Sequence, residues 1–98
     1  MSKIVIIAKI KIKEEFTNEV YPLLVDLHKK THLNDEGCIQ YDLHKDLENN
    51  NSFTFVETWE NEKCLEEHMK KEHFLAFVKK TEDKLEALDI SKLEKEEL

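Results

Sequence analysis

The first strand of the chain constrains its fold more than any other segment. Residues 3–12 alternate with the period of two that is typical of a β-strand. One face of this strand is entirely apolar and carries Ile4, Ile6, Ala8, Ile10 and Ile12. The opposite face begins with Val5 and Ile7 before it becomes polar. A sheet built on this strand therefore needs cover on both sides, because an exposed apolar patch is unfavourable in water.

The hydrophobic period changes to that of a helix directly after this strand. The apolar positions then follow one helical stripe: Phe16, Val20, Leu23, Leu24, Leu27 and Thr31. Pro22 leaves the first residue of this helix open, since proline fits best in the first turn of a helix. The sequence predicts a long amphipathic helix behind the first strand.

Two further strands are predicted to form an antiparallel hairpin. The first follows Gly37 and alternates through Ile39, Tyr41 and Leu43. Residues 48–52 have the asparagine-rich composition of a turn. The second hairpin strand covers residues 53–60, and one of its faces combines three aromatic residues with Glu57.

The second helical region is predicted to consist of two short helices. Asn61 is the expected N-cap, and the apolar stripe first includes Cys64, Leu65, His68 and Met69. Its phase shifts near His73, and the apolar set becomes Phe74, Phe77, Val78, Thr81, Leu85 and Leu88. We expect the helices to meet near His73 and residues 89–98 to form a short edge strand and a tail.

The order β-α-β-β-α-β predicts an α+β fold of the ferredoxin-like split βαβ type with an antiparallel sheet. Residues 1–98 are expected to form a single domain of this kind. The helices would cover one face of the sheet and leave the face of Val5 and Ile7 open. Two copies packed sheet to sheet would bury that face, so we expect a homodimer.

Charge and hydropathy exclude several classes of partner. The formal net charge of −7 disfavours binding to nucleic acid and to anionic membrane surfaces. The longest apolar run covers only residues 4–8, far fewer than the roughly 20 residues of a membrane-spanning helix. We expect a protein of the cytoplasm that has neither a nucleic-acid nor a membrane partner.

Metal and thiol chemistry have little support in the sequence. Cys38 and Cys64 are far apart and match no Cys-x-x-Cys pattern. His28 and His32 are four residues apart on the first helix, a separation that lets two imidazoles reach one metal ion, but no third ligand is evident. We therefore expect no metal site.

Three spaced groups of residues resemble one known family. They are Glu36-x-Cys38-x-x-Tyr41, Phe55-x-Glu57-x-Trp59 and His68-x-x-x-x-His73-Phe74. In this order they resemble the antibiotic biosynthesis monooxygenase domain, and the chain is similar in length to the small quinol monooxygenases of that family. The resemblance implies a dimeric α/β barrel and oxygenation of a phenol or quinol by O₂ without a metal, flavin or haem cofactor.

The same resemblance implies pocket roles for two residues. His68 is the expected catalytic proton acceptor, and Trp59 is the expected wall of the substrate pocket. Their own chemistry and positions make Tyr41, His73 and Glu57 the other expected substrate-binding residues. Each also has a purely structural interpretation, because an aromatic or histidine side chain on an apolar stripe is commonly part of the core.

Other functions of the same fold stay open from the sequence. One is a non-catalytic dimeric module that binds small aromatic molecules. Haem-degrading relatives add an asparagine in the first strand, and residues 4–12 contain none. Isomerases that act on a phosphorylated molecule also share the fold. The sequence contains lysine but no arginine, so it lacks the side chain that binds phosphate through two parallel hydrogen bonds.

Overall fold

The structure is a computed structural model that describes residues 2–98. It contains four strands and three α-helices. In chain order they are β1 (Ile4–Ile12), a short 3₁₀ turn (Glu14–Phe16), α1 (Thr17–Asn34), β2 (Cys38–Lys45), β3 (Ser52–Trp59), α2 (Glu62–Lys70), α3 (Glu72–Thr81) and β4 (Leu85–Glu94).

The four strands form one antiparallel sheet in the order β2-β3-β1-β4. The two central strands, β3 and β1, are therefore flanked by β2 on one edge and by β4 on the other. This arrangement confirms the predicted α+β fold of the ferredoxin-like split βαβ type.

The helices cover the face of the sheet that the alternation of β1 predicted. Four side chains of β1 are buried there, namely Ile6, Ala8, Ile10 and Ile12. From α1 the buried stripe is Val20, Leu24, Leu27 and Thr31. Val5 and Ile7 point to the opposite face and are only half-buried. The expected apolar patch on the open side of the sheet is thus present among the described residues.

Pro22 lies well inside α1 rather than in its first turn, since the helix begins at Thr17. A proline at this position cannot donate to the carbonyl of Asn18, four residues earlier. Both residues are exposed, so water can bind that carbonyl. The hydrophobic stripe, which continues on both sides of Pro22, outweighs the local preference of proline.

The loops that bring the elements together follow the local chemistry of the sequence. Gly37 has a φ of 73° between α1 and β2, a value that side-chain-bearing residues rarely adopt. The predicted N-cap of α2 is confirmed, because the backbone N–H of Cys64 donates to Asn61 Oδ1 over 2.9 Å. The predicted break between α2 and α3 is also confirmed, with Lys71 in an extended conformation (φ −67°, ψ 146°).

The last strand differs from the expectation. Leu85 and Leu88 belong to β4 rather than to a helix, and the strand begins four residues before the expected segment 89–98. A bulge explains the misleading pattern: Ile12 pairs with Leu85 and Lys11 with Ala87, so Glu86 is an extra residue. The bulge puts Leu85 and Leu88 on one face three residues apart, which imitates a helical spacing.

None of the helices within residues 2–98 combines the length and apolar character needed to cross a membrane.

Candidate active site

An apolar cavity of about 190 Å³ lies between the sheet and the helix pair α2 and α3. Its walls are formed largely by aliphatic and aromatic side chains of β1, β3, β4 and α3. The polar side chains that reach it are Tyr41, Glu57, His68 and Lys92. The cavity therefore combines a large apolar surface with a few polar groups, as is typical of a small-molecule site.

Four different elements position the polar groups of the cavity. Tyr41 on β2 is paired with Glu57 on β3, so the two side chains are neighbours on the helix-covered face of the sheet. His68 comes from α2, whose apolar stripe packs on the same face and also carries Leu65. Lys92 of β4 forms an ion pair with Glu62 of α2, with a shortest N–O distance of 2.6 Å, at the rim.

His68 is held in one tautomer by a buried carboxylate. Its Nδ1–H donates to Asp35 Oδ2, and the two side chains are only 2% and 1% exposed. A carboxylate accepts hydrogen bonds, so Nδ1 carries the proton and the lone pair of the neutral ring is on Nε2. Nε2 is buried and has no hydrogen-bond partner among residues 2–98. The lone pair of this nitrogen is therefore not engaged by another side chain of the described residues.

The surroundings of His68 favour its neutral form. Burial lowers the pKa of its imidazole, while the hydrogen bond to Asp35 and the charge of Asp35 act in the opposite direction. Aromatic rings enclose the imidazole, with the Trp59 ring centroid at 4.6 Å, Phe74 at 5.0 Å and Tyr41 at 5.3 Å. An imidazole that is neutral before the reaction, and whose protonated form is stabilised by a neighbouring carboxylate, can act as a general base.

Asp35 is a site residue that the sequence analysis missed. It caps the C-terminal end of α1, where its backbone N–H donates to the carbonyl of Thr31 over 3.0 Å. Its carboxylate contacts His68 on α2 and also His73 on α3, with 2.8 Å between Oδ1 and His73 Nε2. The sequence contained one indication of this role. A negative charge at the C-terminal end of a helix interacts unfavourably with the helix dipole, so a compensating hydrogen-bond donor or positive charge is expected nearby.

The structure places Trp59 behind the residues that line the cavity. Its side chain is fully buried and is not part of the cavity surface. The indole Nε1–H donates to Glu57 Oε1 over 3.0 Å, and the ring packs against His68. Trp59 thus contacts two of the residues that line the cavity. The alternating pattern of β3 placed Trp59 on the correct face but did not show what lies above it.

Glu57 is the second titratable group of the cavity. Burial raises the pKa of its carboxyl from 4.5 to about 7, and the hydrogen bond from Trp59 partly offsets this rise. Burial, with a further contribution from the charge of Glu57, also raises the pKa of the Tyr41 phenol. The hydroxyl of Tyr41 is therefore a hydrogen-bond donor at neutral pH.

The five residues expected to form the site are only partly brought together at the cavity. Tyr41, Glu57 and His68 line it. His73 does not, and its imidazole instead contacts Asp35 behind His68 with an exposed side-chain fraction of 11%. In this structure His73 therefore contacts the carboxylate that holds His68, and its role in substrate binding stays a prediction.

Among residues 2–98, two groups of three side chains have the residue types of a metal site, with their ligand atoms within 4.8 Å of one another. One is Asp35 with His68 and His73. There the 2.8 Å between Asp35 and His73 is shorter than the roughly 3.3 Å that separates ligand atoms around a tetrahedral ion bound at about 2.0 Å. The other group is His28 and His32 with Asp42, which corrects the expectation that no third ligand lies near the two histidines.

The fold and the cavity define a small α+β protein with a pocket for a small organic molecule. The family model for antibiotic biosynthesis monooxygenase matches residues 3–80, and the chain belongs to this family.

Individual relatives agree with this assignment. The chain is 35% identical to the Bacillus subtilis protein named "Putative monooxygenase YcnE" over 93% of its own length and 96% of that protein. It is 33% identical to the Synechocystis protein sll1783 over 84% of its length, but the match spans only 55% of that relative. The crystal structure of PA3566 from Pseudomonas aeruginosa superposes with a TM-score of 0.91, with 29% identity over 99% of this chain and 97% of that one.

Proposed function

We propose that the protein is a monooxygenase that uses O₂ to hydroxylate a single-ring phenol or quinol without a metal or organic cofactor. One observation carries the proposal: His68, whose ring is held by Asp35 and whose Nε2 has no hydrogen-bond partner among the described residues, is one of the residues that line an apolar cavity. Such a site provides a base for a phenolic proton together with apolar surroundings for the ring.

The size of the cavity supports a substrate with one ring. Its volume is about 190 Å³, which exceeds the roughly 150 Å³ of an engineered apolar cavity that binds benzene. A hydroquinone or catechol with small substituents fits this space. A tetrapyrrole has several times the volume of one ring, and for this reason we do not favour the haem-degrading activity of other proteins with this fold.

The proposed reaction begins with proton transfer from the substrate hydroxyl to His68 Nε2. The resulting phenolate is electron-rich and passes one electron to O₂, after which the two radicals combine to a peroxide. Loss of water from the peroxide leaves one oxygen atom on the ring, so that a hydroquinone and O₂ give a hydroxyquinone and water. The substrate supplies all four electrons, and the protein therefore has to contribute only a base, orientation and a dry cavity.

Each polar residue has a distinct proposed role. His68 is the proton acceptor, and Asp35 is a positioning residue that fixes the tautomer and stabilises the imidazolium. Tyr41 donates a hydrogen bond to a substrate oxygen. Glu57 binds the second hydroxyl of a quinol, since its carboxyl exchanges between donor and acceptor forms near neutral pH.

We further propose that the protein acts as a homodimer. The sheet face opposite the helices carries a patch of apolar side chains contributed by β1, β3 and β4, namely Val5, Ile7, Val56 and Leu93. Sheet-to-sheet packing of two copies would bury this patch and produce the dimeric α/β barrel that the sequence resemblance implies.

Oxygen uptake on a panel of substrates tests the activity. The panel contains one-ring hydroquinones and catechols, two- and three-ring quinols and haem, with a metal chelator present throughout. We expect uptake with one-ring substrates that His68→Ala abolishes and that the matched control His44→Ala retains, since His44 is exposed on β2 away from the cavity. Tight binding of the same rings without any oxygen uptake would instead establish the non-catalytic binding module. Turnover of haem alone would also contradict the proposal.

A further inference from the structure

A second cluster of side chains lies at the edge of the sheet, apart from the cavity. His28 and His32 occupy successive turns of α1, and Asp42 belongs to the edge strand β2. One ligand atom of each lies within 4.8 Å of the other two. We infer that these three residues form a binding site for a divalent transition-metal ion of the Zn²⁺ type. This inference is independent of the proposed oxygenase activity.

The donor set suits such an ion. Two imidazoles and one carboxylate are the ligands of many zinc sites that leave a fourth position to water or substrate. The separation of four residues places both imidazoles on one side of α1, and their ring centroids are 4.5 Å apart. His28 is half-buried, whereas His32 and Asp42 are exposed in the single chain, where an ion reaches the cluster from solvent.

His32 is held as a metal ligand would be. Its Nε2 lies 2.8 Å from the backbone carbonyl oxygen of Tyr41. A carbonyl oxygen only accepts hydrogen bonds, so Nε2 carries the proton and the lone pair of the neutral ring is on Nδ1. Histidine ligands in metal sites characteristically donate their second N–H to a carbonyl or carboxylate, which fixes the ring orientation.

Asp42 is oriented by a hydrogen-bond chain of its own. Thr58 Oγ1 donates to Gln40 Oε1 over 3.0 Å, and Gln40 Nε2 donates to Asp42 Oδ2 over 3.0 Å. This chain engages Oδ2 and leaves Oδ1 for an ion. Two of the three ligands therefore have the outer-shell partners that support metal binding.

The charges around the cluster also favour a cation. Two neutral imidazoles and one carboxylate carry a net charge of −1, which a divalent ion more than balances. A bound ion would also tie α1 to β2 next to Tyr41, whose side chain lines the cavity.

Zn²⁺ titration of metal-stripped protein against a chromophoric chelator tests the inference. We expect one ion per chain, and we expect His28→Ala, His32→Ala and Asp42→Asn each to weaken binding by at least about 10-fold. Gln40→Ala should weaken it about 10-fold, the lower end of the effect of losing an outer-shell partner. At a free Zn²⁺ concentration near 100 times the Kd, the melting temperature should rise by on the order of 10 °C in wild type.

Two control variants distinguish this site from other ways of binding zinc. His44→Ala removes an exposed histidine of the same strand, and His68→Ala removes a member of the other cluster. Both should bind Zn²⁺ with wild-type affinity. Wild-type affinity in the His28 and His32 variants would overturn the inference, as would loss of binding in either control. Because Zn²⁺ binding is measured directly, failure of the oxygenase proposal leaves this result unaffected.

Discussion

Replacement of Glu57 by glutamine should make the protein more stable at alkaline pH. The side chain is buried in the cavity, and its carboxyl pKa rises from 4.5 to about 7 on folding. Between these two values the folded protein binds a proton that the unfolded chain has released. The contribution of the protonated Glu57 carboxyl to the free energy of unfolding is therefore fully present below about pH 4.5, and it is lost as the pH rises through about 7.

The size of this effect follows from the pKa difference. A rise from 4.5 to about 7 corresponds to about 3 kcal/mol, at about 1.4 kcal/mol for each pH unit. Glutamine cannot ionise, yet it retains an oxygen that accepts the hydrogen bond from Trp59 Nε1. The Glu57→Gln protein should match wild type near pH 4.5 and exceed its free energy of unfolding by about 3 kcal/mol above pH 8.

Urea denaturation at a fixed protein concentration, repeated from pH 4.5 to pH 9, measures the difference. Glu66→Gln is the matched control, because it removes the same charge from an exposed position on α2. This control should shift the stability by less than about 0.5 kcal/mol at every pH. Parallel pH curves for wild type and Glu57→Gln would show that Glu57 is ionised at neutral pH in the folded protein, and would refute the reasoning.

Three further predictions concern the fold and the assembly. Gly37→Ala should destabilise the protein by about 2–4 kcal/mol in urea denaturation, because φ is 73° and the new Cβ would overlap Cys64 Sγ; an unchanged midpoint would contradict this geometry. Asn61→Ala should cost about 1 kcal/mol through loss of the N-cap of α2, whereas Asn61→Ser should restore most of it. Sedimentation at micromolar concentration should give about twice the chain mass of 11.7 kDa, and a monomer would remove the argument for the barrel.

Much of the fold could be predicted because the hydrophobic pattern is strong over most of the chain. The period of two in β1 and the stripe of α1 each identified the buried face correctly, and the phase shift near His73 located the break between α2 and α3. The hydrophobic pattern gave the wrong prediction for the start of β4, because the extra residue Glu86 in the bulge changes the phase of the alternating pattern.

The candidate site was harder to predict from the sequence than the fold. Periodicity put Glu57 and Trp59 on the buried face, but it could not distinguish the residue that lines the cavity from the one that lies behind it. Asp35 was missed because its partners are on two other helices and the contact spans 33 residues of sequence to His68. The third member of the His28 and His32 cluster, Asp42, likewise comes from another element and is found only once β2 lies beside α1.

The central claim is that His68, positioned by Asp35, removes a proton from a bound single-ring substrate. The most direct measurement is the pH dependence of kcat/KM for oxygen uptake with one hydroquinone, compared among wild type, His68→Gln and Asp35→Asn. Wild-type activity should rise with pH as the neutral imidazole forms, and His68→Gln should lose activity by roughly 10²–10⁴-fold. Asp35→Asn should also be slower and should show an altered pH profile, since the asparagine no longer stabilises the imidazolium. Near-normal activity of His68→Gln with the wild-type pH profile would contradict the claim.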